Sequence, residues 1–142
     1  MTRRMLGFSA GFCALAVAAF AGVANVDGGA EEEAAEWVYE LRTYTTAEGK
    51  LPALHARFRD HTMKLFEKHG MKNVAYWTPM EKENTLVYIV AHRSEDAAKK
   101  SWAGFISDPD WQKAYKESRS DGALVTGIEK HFLTPTDYSP MK

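Results

Sequence analysis

The run Thr85–Ala91 constrains the fold of this chain most, because it is apolar on both faces when it is extended. Val87 and Ile89 point to one side of such a strand, and Leu86 and Tyr88 point to the other. A strand with one face in water alternates apolar and polar side chains instead. We therefore expect this strand in a sheet that is covered on both faces.

The segments around this strand set the order of the elements. Aromatic and β-branched runs predict strands, and apolar residues at steps of three and four predict helices. Strands are predicted over Trp37–Tyr44, Asn73–Pro79, Thr85–Ala91 and Leu124–Leu133, and helices over Lys50–His69 and Ser94–Ser107, with a short helix from Pro109. The order β-α-β-β-α-β predicts an α+β fold of the ferredoxin-like type, a four-stranded antiparallel sheet with two helices on one face.

Characteristic residues mark the ends of the predicted helices. Gly70 can adopt the left-handed conformation that closes a helix. Ser94 is a good N-cap for the second long helix, and Asp108 followed by Pro109 is a good start for the short one.

A layer of two helices covers only one face of such a sheet. The other face is also apolar, so the sequence predicts a partner, and the simplest partner is a second copy related by a two-fold axis. The two sheets would then form a dimeric α+β barrel with the helices outside. The alternative is that the C-terminal tail or the short helix folds across the bare face.

The N-terminal region is typical of an export signal. Arg3 and Arg4 precede the apolar run Met5–Val26, and small residues allow cleavage after Ala21 or Ala24. We predict a signal peptide over residues 1–24, an acidic linker over 25–35, a domain over 36–134 and a tail over 135–142. The mature protein would be periplasmic or extracellular, with no stable membrane association. The alternative is an uncleaved N-terminal anchor.

Charge and cysteine content exclude several functions. The net charge is -1, from 18 Lys+Arg and 19 Asp+Glu, so nucleic acid is not an expected partner. The single cysteine, Cys13, lies in the apolar N-terminal run. A mature domain that lacks this run has no thiol nucleophile and no disulfide.

Five residues are candidates for a ligand site. Arg42 and Tyr44 alternate onto one face of the first strand, and Tyr76 and Tyr88 could share that face, although sequence does not give the register between strands. His61 lies on the apolar stripe of the first helix, where it could act as a base or a ligand. The alternatives are that His61 is a hydrogen-bonded core residue, and that Arg42 pairs with Glu40 or with an acid of the partner subunit.

No catalytic residue, metal or cofactor is assigned from sequence. The chain has no zinc-binding spacing, no glycine-rich phosphate loop and no nucleophile-elbow motif. Trp77, Trp102 and Trp111 are interpreted as core packing.

Several segments in register resemble the NIPSNAP family. They are Tyr39-Glu40-Leu41-Arg42-Thr43-Tyr44, Gly49-Lys50-Leu51, His69-Gly70-Met71, Tyr76-Trp77-Thr78 and Asp108-Pro109-Asp110-Trp111. The family is similar to the dimeric α+β barrels, which include small monooxygenases and haem-handling enzymes. The resemblance implies a homodimer with a cavity between sheet and helices, and it specifies no reaction.

Three functions follow as hypotheses. The first is an exported homodimer that binds a small, largely apolar molecule in each subunit, with a cofactor-independent oxidative or isomerising activity as an extension. The second is a structural or interaction module without a ligand. The third is haem binding with His61 as the axial ligand.

Overall fold

A computed structural model describes residues 37–141, which form one four-stranded antiparallel sheet with helices packed on one face. The strands are β1 (Val38–Thr46), β2 (Lys72–Trp77), β3 (Thr85–His92) and β4 (Val125–Leu133). The helices are α1 (Leu51–Arg57), α2 (Met63–Lys68), α3 (Glu95–Ser107) and α4 (Pro109–Glu117), and a π-helical turn (Phe58–Thr62) joins α1 to α2. The predicted signal peptide and linker, residues 1–35, lie outside the described residues.

The strand order β2-β3-β1-β4 confirms the predicted ferredoxin-like arrangement. The central strands β1 and β3 are antiparallel, with Arg42 opposite Tyr88 and Tyr44 opposite Leu86. On the other side of β3, Tyr76 is opposite Tyr88. The register thus places Arg42, Tyr44, Tyr76 and Tyr88 on one face, as the sequence allowed but could not show.

That shared face is the one the helices cover. Tyr88 packs its ring against Phe66 of α2, and Glu40 accepts a hydrogen bond from Trp102 of α3. Residues one step along each strand, such as Leu41 and Ile89, lie opposite each other and point to the other face. Strand β3 is therefore apolar on both faces, as predicted.

The predicted helix ends are confirmed in detail. Gly70 has a φ of +79°, and the Met71 N–H returns to the Phe66 carbonyl at 2.9 Å, the pattern of a Schellman cap. The Ser94 hydroxyl accepts from the Ala97 N–H at 3.0 Å. Asp108 caps α4 in the same way through the Asp110 N–H at 2.8 Å.

The first helix differs from the prediction of one regular helix. In the turn Phe58–Thr62, the Met63 N–H bonds to the carbonyl of Phe58, five residues back, so one extra residue is accommodated. The Thr62 hydroxyl bonds to the Arg57 carbonyl at 3.2 Å. Since each residue of an α-helix turns it by about 100°, the extra residue rotates α2 relative to α1.

The core between sheet and helices is largely aromatic. Tyr88 and Val90 on β3 are fully buried, and Phe58 and Phe66 close over them from the helical side. No helix in the described range 37–141 has the length and apolar character needed to cross a membrane.

Candidate functional site

A cavity of about 260 Å³ lies between the helical layer and the β1/β4 side of the sheet. It opens along the edge strand β4, where Ile128 is 53% exposed. Its lining comprises Tyr44, Arg57, Phe58, Thr62, Phe66, Phe105, Trp111, Tyr115, Val125, Thr126, Gly127 and Ile128. Six of these twelve residues are aromatic, so the walls favour a flat apolar group.

Edge-to-face ring contacts fix the inner wall of the cavity. Tyr44 lies 6.1 Å from Phe58 and 5.2 Å from Tyr88, measured between ring centroids. The Tyr88 hydroxyl donates to the Tyr44 hydroxyl at 3.0 Å, and burial raises the pKa of Tyr88. The Tyr88 phenol therefore stays neutral, and both hydroxyls serve as hydrogen-bonding groups.

Arg57 is the charged residue in the lining. It is the last residue of α1, and it is only 5% exposed. Its guanidinium lies beside the rings of Trp111 and Tyr115 on α4, with its carbon atom 5.1 Å and 5.4 Å from their centroids. The cavity thus combines an aromatic wall with one buried cation.

A separate polar cluster lies on the same sheet face, beside α3. The Glu40 carboxylate accepts from Arg42 Nη1 at 2.7 Å and from Trp102 Nε1 at 2.6 Å, and His92 Nε2 lies 3.0 Å from it. Burial opposes the ionisation of Glu40, but the bonds from His92 and Trp102 and the charge of Arg42 outweigh it and lower the pKa of Glu40. The cluster therefore holds an ionised carboxylate whose oxygens are both engaged.

The structure brings together four of the five candidate site residues, but only Tyr44 lines the main cavity. Arg42 pairs with Glu40 and lies over the Trp102 ring at 4.2 Å, which matches the intrachain alternative for this residue. Tyr76 donates to the Asn73 side chain and borders a shallower cavity of about 360 Å³. Burial raises the pKa of Tyr76 above its ordinary value.

His61 lies away from the other four. It borders an outer groove between α2 and α4, together with Lys64 and Asp110. Because the π-helical turn rotates α2, Thr62 and Phe66 face the sheet where regular periodicity would have placed His61. His61, the axial ligand of the haem hypothesis, therefore does not line the cavity of about 260 Å³.

One carboxylate connects α2 to α4, which carries the outer wall of the cavity. Asp108 Oδ2 lies 2.8 Å from Lys68 Nζ and 2.7 Å from His69 Nε2. Hydrogen bonds from Lys68 and then His69 lower the pKa of Asp108. The position of Trp111, three residues along, depends on this junction.

Residues 37–141 contain no group of three or more His, Cys, Asp or Glu side chains placed to hold a metal ion. The lining of the cavity supplies one guanidinium, phenol and threonine hydroxyls, and aromatic rings.

Comparison with known proteins identifies relatives of the described region. The model of one family, NIPSNAP, matches residues 39–140. No curated protein sequence matches the chain. A crystal structure of a NIPSNAP family protein of unknown function from Agrobacterium tumefaciens superposes with a TM-score of 0.67 at 25% identity, covering 77% of this chain and 96% of that one.

Two further structures share the fold at lower identity. A NIPSNAP-like domain protein from Burkholderia xenovorans has a TM-score of 0.65 at 16% identity, covering 75% of this chain and 90% of that one. SnoaB, a cofactor-independent oxygenase from Streptomyces nogalater, has a TM-score of 0.55 at 19% identity, covering 75% of this chain and 99% of that one. These two similarities concern the fold alone.

Proposed function

The chain belongs to the NIPSNAP family, and from that premise we propose that it is a small-molecule-binding protein whose ligand lies between the sheet and the helices. The site is the cavity bounded by Tyr44, Phe58 and Trp111. The similarity to the oxygenase SnoaB concerns the fold alone, so we propose binding and no reaction.

The observation that carries this proposal is the cavity itself. Its volume is about 260 Å³, and it lies at the junction of the sheet and the helices and opens along β4. Ligand sites are concave and mostly apolar, with a few polar groups that fix orientation. An aromatic wall that carries a buried Arg57 and the Tyr44 hydroxyl fits this description.

We propose that the protein binds its ligand as a homodimer. Leu41, Val87 and Ile89 lie at the centre of the sheet face away from the helices, and Trp77 at its edge is 51% exposed. Two subunits related by a two-fold axis would pack these faces against each other, which removes apolar surface from water without any other partner. Light scattering at increasing protein concentration tests this, with a dimer as the expected result.

The mature protein is proposed to be exported. Cleavage after Ala21 or Ala24 would release a chain that contains the whole described domain. N-terminal sequencing of the protein recovered outside the cytoplasm is expected to start at Gly22 or Asn25. An intact N-terminus on membrane-associated protein would support the uncleaved anchor instead.

Calorimetric titration with 2-naphthol, a neutral two-ring probe, tests binding in the cavity. Ile128→Trp places a large side chain in the cavity mouth, at a position exposed enough to be tolerated. We expect it to weaken binding at least about tenfold, equivalent to ~1.4 kcal/mol. Ile106→Trp is the matched control, since Ile106 on α3 is 60% exposed and does not line the cavity.

The control should retain wild-type affinity. If the wild-type protein binds none of 2-naphthol, 2-naphthoate and 2-naphthamide, the binding function is wrong and the structural-module hypothesis takes its place. If it does bind, mass spectrometry of the protein purified under non-denaturing conditions from its own cells would identify the natural ligand.

A further inference from the structure

Arg57 is a buried cation with an incomplete set of partners. Its side chain has one hydrogen bond in the described structure, from Nη1 to the Ser118 hydroxyl at 3.3 Å. Its Nε–H is buried with no partner among the described residues. A guanidinium carries five N–H donors, so most of its hydrogen-bonding capacity is unused.

Arg57 also has no counterion in the part of the chain that the structure describes. Within residues 37–141, no carboxylate lies within 4.0 Å of its guanidinium, although Asp60 and Glu117 border an outer groove that Arg57 also reaches. Among the side chains that are charged at neutral pH, Arg119 has the largest electrostatic effect on the pKa of Arg57, and it is another cation. Burial lowers the pKa of Arg57, but arginine remains protonated in proteins.

Arg42, which is half-buried and also has an Nε–H without a partner among the described residues, differs from Arg57 in having a counterion. Arg42 has Glu40 at 2.7 Å, so its charge is neutralised within the chain. A buried charge is strongly unfavourable unless it is paired. The missing partner of Arg57 is therefore expected to come from a bound molecule.

The surroundings of Arg57 present it as a binding group. The rings of Trp111 and Tyr115 flank the guanidinium, and such contacts orient a planar cation without using its N–H groups. The π-helical turn begins directly after Arg57, and the Arg57 carbonyl is held by the Thr62 hydroxyl at 3.2 Å. Wide turns of this kind occur frequently at functional sites.

The size of the cavity limits the rest of the ligand. An apolar cavity of about 150 Å³ takes one benzene ring. The present cavity of about 260 Å³ leaves room for one or two fused rings and a small polar group. Arg57 lies in its wall, and the guanidinium group is a favourable partner for a carboxylate.

We propose that the cavity binds a small aromatic carboxylate, with the carboxylate on Arg57 and the ring system packed against the lining side chains of Phe58, Phe105 and Trp111. This inference rests on the proposed function and names the chemical class of its ligand. The ligand neutralises the buried charge.

The test compares 2-naphthoate with 2-naphthamide, which has nearly the same shape and no charge, by calorimetry on the full chain. The wild-type protein should bind the carboxylate about 10- to 100-fold more tightly, the range expected for charged hydrogen bonds. Arg57→Gln should abolish this preference and leave binding of the amide within a few-fold. Arg57→Lys, which keeps the charge and loses the planar guanidinium, should give an intermediate preference.

Arg59→Gln is the matched control, because Arg59 is exposed on the same turn and does not line the cavity. It should leave both affinities unchanged. Equal binding of the two probes by the wild-type protein, or an intact preference in Arg57→Gln, would overturn the carboxylate inference while the binding function stands. If Arg57→Gln does not fold, the wild-type preference and the Arg57→Lys variant still decide the question.

Discussion

Replacing Glu40 by Gln is expected to destabilise the domain by about 3 kcal/mol, although the two side chains have nearly the same shape. In the wild-type protein, one carboxylate oxygen accepts from Arg42 and the other from Trp102, with His92 close to the latter. An amide has one oxygen and one NH₂ group. Whichever way it is turned, its NH₂ group faces at least one of these donors.

The magnitude follows from burial. Glu40 is 1% exposed and the Arg42 side chain 11% exposed, so the pair is almost fully removed from water. Removing one partner of a buried ion pair costs about 3–5 kcal/mol. The lower end applies because the remaining exposure of Arg42 gives its charge some access to water. For a domain of this size, we expect Tm to fall by roughly 10–15 °C.

Urea denaturation at pH 7 measures this loss, and Glu129→Gln provides the control. Glu129 is exposed on β4 of the same sheet, so its change should stay within about 0.5 kcal/mol. The difference in the free energy of unfolding between Glu40→Gln and the wild-type protein should also depend on pH. The pKa of Glu40 is lowered in the folded state, so its stabilisation is complete above the ordinary value of 4.5 and is lost as the pH falls through the folded pKa.

We therefore expect the difference in the free energy of unfolding between the two proteins to become smaller below pH 4.5. Wild-type stability in Glu40→Gln at pH 7, or a difference that stays constant on acidification, would refute the role assigned to this buried carboxylate.

Three further substitutions probe other parts of the structure. Gly104→Ala should lower the free energy of unfolding by roughly 1 kcal/mol, because the new methyl group would lie 2.8 Å from His69 Nδ1. Within a helix this change usually raises stability by about 1 kcal/mol, so in a His69→Ala background it should be stabilising in urea melts. Thr62→Val should cost about 1 kcal/mol, since it removes the hydroxyl that bonds to the Arg57 carbonyl, and an unchanged urea midpoint would contradict this. Ile89→Lys should convert the proposed dimer to a monomer in light scattering, and a dimer that persists would place the interface elsewhere.

The fold was predictable because local and global signals agree. The apolar run Thr85–Ala91 forms the central strand β3, and the caps at Gly70, Ser94 and Asp108 occur where sequence placed them. Each of these signals acts over a few residues, which is the range that sequence patterns report. The register between strands depends on contacts between distant segments, so it required the structure.

The site was less predictable, because it depends on a deviation from helical periodicity. Regular spacing placed His61 toward the sheet, but the π-helical turn moved it to the outer groove and brought Thr62 inward. Arg57 precedes the π-helical turn and was missed because the predicted stripe was drawn from apolar residues and histidines alone. Its signal was present, since an arginine between Leu54 and Phe58 interrupts an apolar stripe, and such an interruption can mark a buried charge.

The extra residue of the wide turn also affects how related chains should be aligned. A relative with a regular helix would reach the same depth of the fold with one residue fewer, so its equivalent positions beyond Phe58 would be displaced by one. A gap placed after α2 would pair inward-facing side chains with outward-facing ones along the whole of α2, and a gap placed before α1 would do the same along α1. Apparent variability at the position of Thr62 could then be a shift in numbering and not a change of chemistry.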